Sequence, residues 1–273
     1  MNYRHAFHAG NFADCFKHAL LLALLDSLIR KPTPFCVMDT HAGAGTYDLN
    51  ADQAQRTNEA SAGIRRLLEA PSSPILEPYL TQVRSLGLYP GSPRFIQAAL
   101  RPQDRLICCE RHPEEAAKLR TLFRYGKNTE IHVRSAWEAI TALLPPKENR
   151  GLVFIDPPYE ERDEFASLTK ALSTAHTRFR NGIFAVWYPV KHQAAVRGFH
   201  ADVRATGIRD IVTTELLLRD PTEPDRLNGC GLLVINPPYR YVDQSQALAQ
   251  AVLDGLGAEE QGAGVQTLIL ANE

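Results

Sequence analysis

The feature of this 273-residue sequence that most constrains its fold is a short apolar run that ends in Asp156-Pro157-Pro158-Tyr159. The preceding residues 152–155 are all apolar and include β-branched and aromatic side chains, which is typical of a central strand buried on both faces. Proline lacks the backbone N–H that a sheet needs and holds the residue before it in an extended conformation. We therefore expect Asp156 at the carboxyl edge of a sheet, followed by a rigid turn.

Strand-like and helix-like segments alternate on both sides of this run. The parallel strands are predicted at 35–39, 105–110, 130–134, 151–155 and 182–189. Repeated strand–helix units favour a right-handed, doubly wound sheet. Segments 210–219 and 231–236, joined by a polar loop with a proline, predict a terminal antiparallel pair. The sequence thus predicts an α/β fold with a seven-stranded, mostly parallel sheet, followed by a helix at 244–256 and a short apolar end.

Two segments depart from this alternation. Residues 47–89 are mostly helical, with helices expected at 59–70 and 77–86, and we interpret them as a small insertion into a main domain of residues 1–46 and 90–273. Residues 1–13 form an N-terminal tail rich in aromatic, imidazole and amide groups, which predicts either disorder or a position against a site.

The first predicted helix, 15–30, follows the tail. Asp14 can cap it, and its apolar residues recur on one stripe. Lys17 and His18 fall in its first turn, and by themselves they are interpreted as residues of a solvated face.

Composition limits the functions that the chain can have. Thirty Lys and Arg against 31 Asp and Glu give a net charge of −1, so a nucleic-acid surface must be a local patch. The five cysteines have neither C-x-x-C nor metal-ligand spacing, which predicts reduced core thiols and no metal. The longest apolar run, 19–25, is too short to cross a bilayer, and the first ten residues do not resemble a signal peptide. We expect a cytoplasmic protein.

The end of the central strand suits one kind of substrate. The Asp156 carboxylate and the Pro157 carbonyl can accept the two hydrogens of an exocyclic amine, while the Tyr159 ring stacks on the planar base that carries the amine. The nitrogen lone pair then remains free to point at an electrophile. Asp156-Pro157-Pro158-Tyr159 resembles the signature of the amino-methyltransferases that use S-adenosylmethionine, and this resemblance implies direct methyl transfer to the amine.

Two more segments favour a nucleoside cofactor beside this substrate. The turn from Thr40 to Gly45 carries glycines that allow a ligand close to the backbone, but it has neither the G-x-G-x-x-G spacing nor a P-loop lysine. Glu110, at the end of the second strand, can accept hydrogen bonds from ribose hydroxyls.

Asn236-Pro237-Pro238-Tyr239 is a second copy of the same kind of motif. The fourth strand lies beside the first at the topological switch point, whereas a seventh strand inserted antiparallel next to the fifth has its end pointing away from the cofactor. Asn236 also offers an amide in place of a carboxylate, so Asp156 is the predicted catalytic copy.

With these segments in order, the sequence resembles the bacterial 23S ribosomal RNA adenine-N6 methyltransferase J family, whose members are class I S-adenosylmethionine-dependent methyltransferases. The likeness extends from the tail to the last strand pair, and it is carried by His5-Ala6-Phe7-His8-Ala9-Gly10-Asn11, Asp39-Thr40-His41-Ala42-Gly43-Ala44-Gly45, Tyr89-Pro90-Gly91-Ser92-Pro93 and Asp156-Pro157-Pro158-Tyr159. Asp-Pro-Pro-Tyr alone is less specific, because DNA adenine and cytosine-N4 enzymes share it.

The resemblance implies a Rossmann-like fold, S-adenosylmethionine as cofactor and 23S ribosomal RNA, naked or early in assembly, as partner of a monomer. The implied cofactor contacts are His18, His41, Gly43, Ser92, Glu110, Ser135, Ala136 and Asp156. Asp156 is also the implied catalytic acceptor, and Tyr3 is expected to meet the RNA. The chain departs from the pattern at Ser135 and Ala136, where related enzymes often carry an acid and a glycine.

Alternatives stay open on the sequence alone. A DNA adenine-N6 methyltransferase would share the whole site, and a non-catalytic Rossmann-type module could bind nucleotides or RNA without methyl transfer. Basic residues that could follow RNA are Arg4, Lys17, Arg65, Arg66, Arg84, Arg94, Arg111 and Lys191. The patch near the tail is the RNA surface that we predict, with Arg65 and Arg66 as a possible second one.

Overall fold

The computed structural model describes residues 4–71, 73–161 and 163–272, which form an α/β structure around one large sheet. Its strands are β1 (Cys36–Asp39), β2 (Thr46–Tyr47), β3 (Tyr89–Pro90), β4 (Arg105–Glu110), β5 (Thr129–Val133), β6 (Gly151–Ile155), β7 (Ile183–Val190), β8 (Ile211–Leu217), β9 (Gly229–Ile235) and β10 (Gly264–Ala271). Its α-helices are α1 (Phe12–Ile29), α2 (Asp52–Thr57), α3 (Glu59–Ala62), α4 (Ile64–Glu69), α5 (Glu77–Ser85), α6 (Ser92–Ala99), α7 (Pro113–Leu122), α8 (Ala136–Leu143), α9 (Glu164–Arg178), α10 (Gln193–Ala205) and α11 (Tyr241–Leu256). A 3₁₀ turn, His5–Phe7, precedes them.

The large sheet confirms the predicted doubly wound, mostly parallel fold. Its order is β10-β8-β9-β7-β6-β1-β4-β5, with parallel pairing from β7 to β5 and antiparallel pairing of β9 with both β7 and β8. Every residue of β6 is buried, as its continuous apolar run predicts. One hydrophobic cluster fills each face of the sheet.

The expectation of seven strands in the sheet was wrong by one. The segment predicted as a short apolar end is β10, which pairs antiparallel with β8 and covers what would otherwise be an open edge of the sheet. Most of its side chains are only partly buried, so its apolar residues do not alternate as cleanly as those of a strand inside the sheet.

The segment 47–89 is helical, and its two ends pair. Thr46 faces Pro90 and Tyr47 faces Tyr89 in the antiparallel pair β2–β3. Buried residues of its helices, among them Leu67 and Tyr79, belong to the same hydrophobic cluster as α1 and α11.

The helix expected at 59–70 is two short helices. The helix is interrupted at Gly63. A Cβ at this position would lie 2.1 Å from the carbonyl oxygen of Gly10, so only glycine lets the tail backbone approach so closely. The Gly10 carbonyl also accepts a hydrogen bond from the Ile64 N–H at 2.8 Å. The break therefore depends on a contact with a distant segment.

Two expectations for the first helix were wrong. The helix begins at Phe12 and is capped by Asn11, whose side chain accepts the Asp14 N–H, so Asp14 is not the cap. Lys17 and His18 are 5% and 1% exposed and do not form a solvated face. The reason is that α1 lies inside the core, packed against α11, α6 and the insertion helices.

None of the helices in the described part of the chain has both the length and the apolar character that crossing a bilayer requires. All five cysteines are buried free thiols.

Candidate active site

The carboxyl ends of the parallel strands open into one cavity of about 740 Å³. It is lined by the glycine turn after β1, by Glu110 at the end of β4 and by Asp156 after β6, which are the three segments that the sequence predicts to meet. Ten of the predicted site residues line this cavity: His18, His41, Gly43, Ser92, Glu110, Ser135, Ala136, Asp156, Pro157 and Tyr159. The remaining one, Tyr3, lies outside the described residues.

The turn after β6 holds Asp156 and Tyr159 in fixed positions. Tyr159 adopts a φ of 52°, and its hydroxyl donates to the Trp187 carbonyl oxygen on β7 at 2.8 Å. Its ring packs against Phe165 and Trp187, with centroids 5.1 and 5.8 Å away. The Asp156 side chain retains 15% exposure and so faces the cavity.

Lys17 is the direct partner of Asp156. Its ammonium lies 2.6 Å from Asp156 Oδ2 and 2.7 Å from Asp14 Oδ1, and it is 5.7 Å from the centre of the Trp187 ring. The lysine thus joins α1 to the turn after β6. Sequence reasoning missed this role because Asp156 is 139 positions away along the chain.

Asp14 is the second carboxylate partner of Lys17. It accepts hydrogen bonds from the Gly10 N–H at 2.8 Å and from His5 Nε2 at 3.1 Å. Burial raises the pKa of this carboxyl, but His5 and Lys17 outweigh it and hold the pKa well below its usual range. Asp14 is therefore charged, and it compensates the buried lysine.

Glu110 and the glycine turn form one backbone-supported unit. The Gly43 N–H donates to Glu110 Oε2 at 2.8 Å, and the His112 N–H donates to Oε1 at 2.6 Å. Gly43 has a φ of 60°, and a Cβ there would lie 2.2 Å from the Tyr47 hydroxyl oxygen. Each carboxylate oxygen keeps a lone pair, so Glu110 can still accept two hydroxyl groups.

Asp39 and Thr40, where β1 leads into the glycine turn, are buried, whereas His41 is partly exposed. Asp39 is 0% exposed, and its Oδ2 has no hydrogen-bond partner among the described residues. Burial raises the pKa of Asp39 to about 7 and lowers the pKa of His41 to about 4. His41 Nδ1 lies 2.8 Å from the Thr40 hydroxyl, and its ring meets the edge of Trp137.

His18 and Ser92 form the wall between α1 and α6. His18 Nδ1 lies 3.0 Å from the hydroxyl of Tyr89, which is itself hydrogen-bonded to Tyr79 at 3.1 Å. The His18 ring also packs against Phe95. Burial lowers the pKa of His18 to about 3, so this imidazole is neutral near pH 7.

Ser135, Ala136 and Trp137 line the cavity at the start of α8. Ser135 is the N-cap of this helix: its Oγ accepts the Glu138 N–H at 3.3 Å, and the Glu138 carboxylate accepts the Ser135 N–H. The indole of Trp137, which sequence reasoning did not single out, adds an aromatic surface next to this contact.

The described part of the tail, from Arg4 onwards, lies against the cavity, which was one of the two expectations for it. Arg4, His5, His8 and Asn11 line the cavity. His8 Nδ1 and Asn11 Nδ2 lie 2.8 and 2.9 Å from the Glu59 carboxylate on α3, which joins the tail to the insertion.

The second motif lies elsewhere, as its predicted strand direction requires. β9 runs antiparallel to β7, so Asn236 lies at the opposite edge of the sheet and does not line the cavity. Its Nδ2 donates to the carbonyl oxygens of Arg180 and Gly182, both at 2.7 Å. Asn236 thus has a structural role in fixing a turn.

Comparison with known proteins gives one consistent family. The family model described as ribosomal RNA large subunit methyltransferase D, RlmJ, matches residues 32–269. Ribosomal RNA large subunit methyltransferase J of Escherichia coli K12 is 37% identical over 251 residues, covering 89% of this chain and 90% of that protein. The protein with the same description from Haemophilus influenzae is 35% identical over 270 residues and 96% of each chain.

Solved structures agree in fold. The crystal structure of protein LPL1258 from Legionella pneumophila superposes with a TM-score of 0.87 at 33% identity, covering 96% of this chain and 98% of that one. A probable spermidine synthase from Corynebacterium glutamicum has a TM-score of 0.50 at 12% identity over 92% of this chain and 74% of its own, and this likeness shows the fold alone.

Proposed function

Because the chain belongs to the RlmJ family of ribosomal RNA large subunit methyltransferases, we propose that it transfers the methyl group of S-adenosylmethionine to the N6 amine of a specific adenine in 23S ribosomal RNA. In addition to family membership, the proposal is supported by one observation: Asp156, the glycine turn and Glu110 line the same cavity. A methyl donor and an amine acceptor must lie side by side, and these residues offer the two halves of such a site.

The residues around the glycine turn fit the cofactor. Glu110 would accept hydrogen bonds from the ribose hydroxyls, and the Gly43 backbone allows the ligand to approach closely. His18, His41 and Ser92 would surround the amino-acid part, and Asp156 would lie next to it. Ser135 and Ala136 would border the adenine, where Ser135 Oγ has one lone pair left after capping α8.

Asp156 and Pro157 are the proposed amine acceptors. Hydrogen bonds from the N6 hydrogens to the Asp156 carboxylate and the Pro157 carbonyl favour a tetrahedral nitrogen and stabilise the positive charge that grows on it, at about 3 kcal/mol per group. The bound cofactor supplies a methyl group attached to a positively charged sulfur. Asp156 need not be a strong base, because the methylated ammonium is itself acidic. Tyr159 would stack on the extruded base at roughly 1–3 kcal/mol.

Lys17 has a defined part in this proposal. Its ammonium already donates to Asp156, so it orients the carboxylate while leaving lone pairs for the amine. Tyr3 would meet the RNA, consistent with the position of Arg4 and His5 beside the cavity.

We further propose a cytoplasmic monomer, without a metal, that acts on naked or early-assembly RNA. In the described residues no cluster of potential ligands could hold a metal ion. Residues 47–89 would form an insertion subdomain within the methyltransferase domain of residues 1–46 and 90–273.

The test separates this proposal from its rivals. Purified protein is incubated with methyl-labelled S-adenosylmethionine and either unmodified 23S ribosomal RNA or genomic DNA. We expect label in the RNA alone, whereas label in DNA would support the DNA enzyme. Calorimetry with S-adenosylhomocysteine and with NAD should show binding of the former only. If neither ligand binds and no label enters the RNA, the non-catalytic module is the reading that remains.

A further inference from the structure

The cavity continues past Asp156 into a second end that the cofactor and the reacting amine do not need. This end is lined by Pro189 of β7, by Lys191 just after that strand, and by Leu218, Arg219 and Leu227 at the two ends of the β8–β9 loop. We call these five residues the β7–β8 rim. Trp187 of β7 also lines the cavity, its ring centre lies 5.7 Å from the Lys17 ammonium, and β7 is the neighbour of β6 in the sheet. A nucleotide whose base reaches Asp156 therefore has this rim beside its sugar and phosphates.

The charges on this rim are not equivalent. Arg219 is held by Glu260 in a two-pronged pair, with distances of 2.8 and 2.7 Å. Lys191 is exposed, and it makes no salt bridge with any residue that the structure describes. Its main chain is fixed nevertheless, because the fully buried Asn228 donates from Nδ2 to the Lys191 carbonyl at 2.8 Å. The rim thus carries one cation that makes no salt bridge and whose main chain is held in place.

A second rim of the same cavity has the opposite charge. The loop after β6 places Glu160 and Glu161 in the cavity lining, and Glu164, at the start of α9, lines it as well. Glu160 and Glu161 are exposed, and Asp163 adds a further exposed acid to this loop. We call this loop the acidic rim. In the sequence, residues 160–164 hold four acids and one arginine, Arg162, so their net charge is −3. A phosphodiester backbone is therefore repelled there and attracted at Lys191.

Most other basic candidates for RNA contact are occupied. Arg65 donates to the Leu49 carbonyl and to Asn50, Arg84 pairs with Glu77, and Arg94 donates to Gln97. None of these three lines the cavity. Three further candidates do line the cavity. Lys17 is held by Asp14 and Asp156, Arg4 pairs with Glu114, and Arg111 directly follows Glu110, on the side proposed for the cofactor. Lys191 is therefore the basic residue best placed to contact the strand next to the base site.

We propose that Lys191 binds a phosphate adjacent to the target adenosine. The acidic rim repels the RNA backbone from the side of the β6 loop. The strand therefore enters along the β7–β8 rim in one orientation. This inference rests on the proposed function, and it adds the path of the RNA and the residue that reads its backbone. Lys191 acts as a positioning residue and does not touch the transferred methyl group.

The test compares Lys191→Met with Lys170→Met, which removes the same charge from the exposed face of α9 outside the cavity. With an RNA fragment that wild type methylates, Lys191→Met should raise KM about fivefold at unchanged kcat, and it should reduce the slope of log(kcat/KM) against log salt by about 0.7 to 0.9. Lys170→Met should match wild type in both, and Lys191→Arg should restore them. Glu161→Lys should lower KM.

A neutral phosphate in the substrate locates the contact. Methylphosphonate replaces one phosphate at a time next to the target adenosine, and one position should impair wild type but cause no further loss in Lys191→Met, since the partner is already gone. Additive losses at every position, or a KM and salt slope of Lys191→Met equal to those of wild type, would overturn the inference. Those results still leave wild-type methylation of RNA in place, whereas wild type that methylates no RNA refutes the proposed function itself.

Discussion

At the scale of single residues, the site depends on a buried chain of charges that runs from Asp14 through Lys17 to Asp156. Each member is stable only because of the others, since a lone buried charge would cost several kcal/mol. The acid at the end of the apolar run could be predicted from sequence because strand, acid and prolines are adjacent. The lysine could not, because its distant partner becomes a neighbour only in the folded chain.

Asp156→Asn tests the acceptor itself. Asparagine is isosteric but neutral, so it should no longer stabilise the charge on the amine, and kcat should fall about 10²- to 10³-fold. Calorimetry should still detect binding of S-adenosylhomocysteine, because Glu110 and the glycine turn are untouched. Retention of full turnover by this variant would show that the acceptor lies elsewhere.

Lys17→Met tests the buried charge chain. Removing the cation leaves two carboxylates near each other, so the free energy of unfolding in urea should fall by about 3 kcal/mol and methyl transfer should fall with it. Arg30→Met, which breaks an exposed pair with Asp26 on the same helix and outside the cavity, is the control and should change neither. Equal stability of the two variants would contradict the role of Lys17.

At the scale of elements, strand direction decides which of two similar motifs can be catalytic. β6 is parallel and ends at the cavity, whereas β9 is antiparallel and ends at the other edge. This was predictable, because apolar runs and the acids that follow them are local signals. β10 and the break at Gly63 were not, because an open sheet edge and the Gly10 carbonyl come from distant parts of the chain.

Asn236→Ala separates the two motifs by experiment. The variant loses two hydrogen bonds to backbone carbonyls and keeps an unfavourable φ of 55°, so the free energy of unfolding should fall by about 1–3 kcal/mol. Its kcat, measured where it is fully folded, should equal that of wild type. A loss of kcat as large as that of Asp156→Asn would make the second motif part of the active site.

At the scale of the whole molecule, burial of ionisable groups couples stability to pH. The pKa values of His18, His41 and His200 are lowered by burial to about 3, 4 and 4. Between those values and about 6.5, the unfolded chain binds protons that the folded chain does not, so acid destabilises the fold by up to about 1.4 kcal/mol per pH unit for each histidine. Asp39, with a pKa raised to about 7, acts in the opposite direction between about 3.9 and 7.

The free energy of unfolding should therefore decrease as pH falls from about 6.5 towards 4, as followed by urea denaturation at several pH values. His200 lies outside the cavity, beside the Tyr188 hydroxyl. His200→Gln should therefore reduce the difference in bound protons between the unfolded and the folded chain by close to one. An unchanged pH dependence in this variant would mean that His200 titrates normally in the folded chain.

The whole molecule also explains why the tail, the insertion and the sheet act together. α1 carries Lys17 and packs against α11 and the insertion helix α5, while Glu59 on α3 holds His8 of the tail. A cavity at the carboxyl edge is thereby closed by segments far apart in sequence. The residues expected to recognise RNA are held by the same contacts that stabilise the fold.

The central claim is that Asp156 presents an adenine amine to the methyl donor held by the glycine turn and Glu110. The most direct measurement is nucleoside mass spectrometry of unmodified 23S ribosomal RNA after incubation with the purified protein and S-adenosylmethionine. We expect N6-methyladenosine at a single position with wild type and none with Asp156→Asn. Methylation at another atom, or equal product from both proteins, would contradict it.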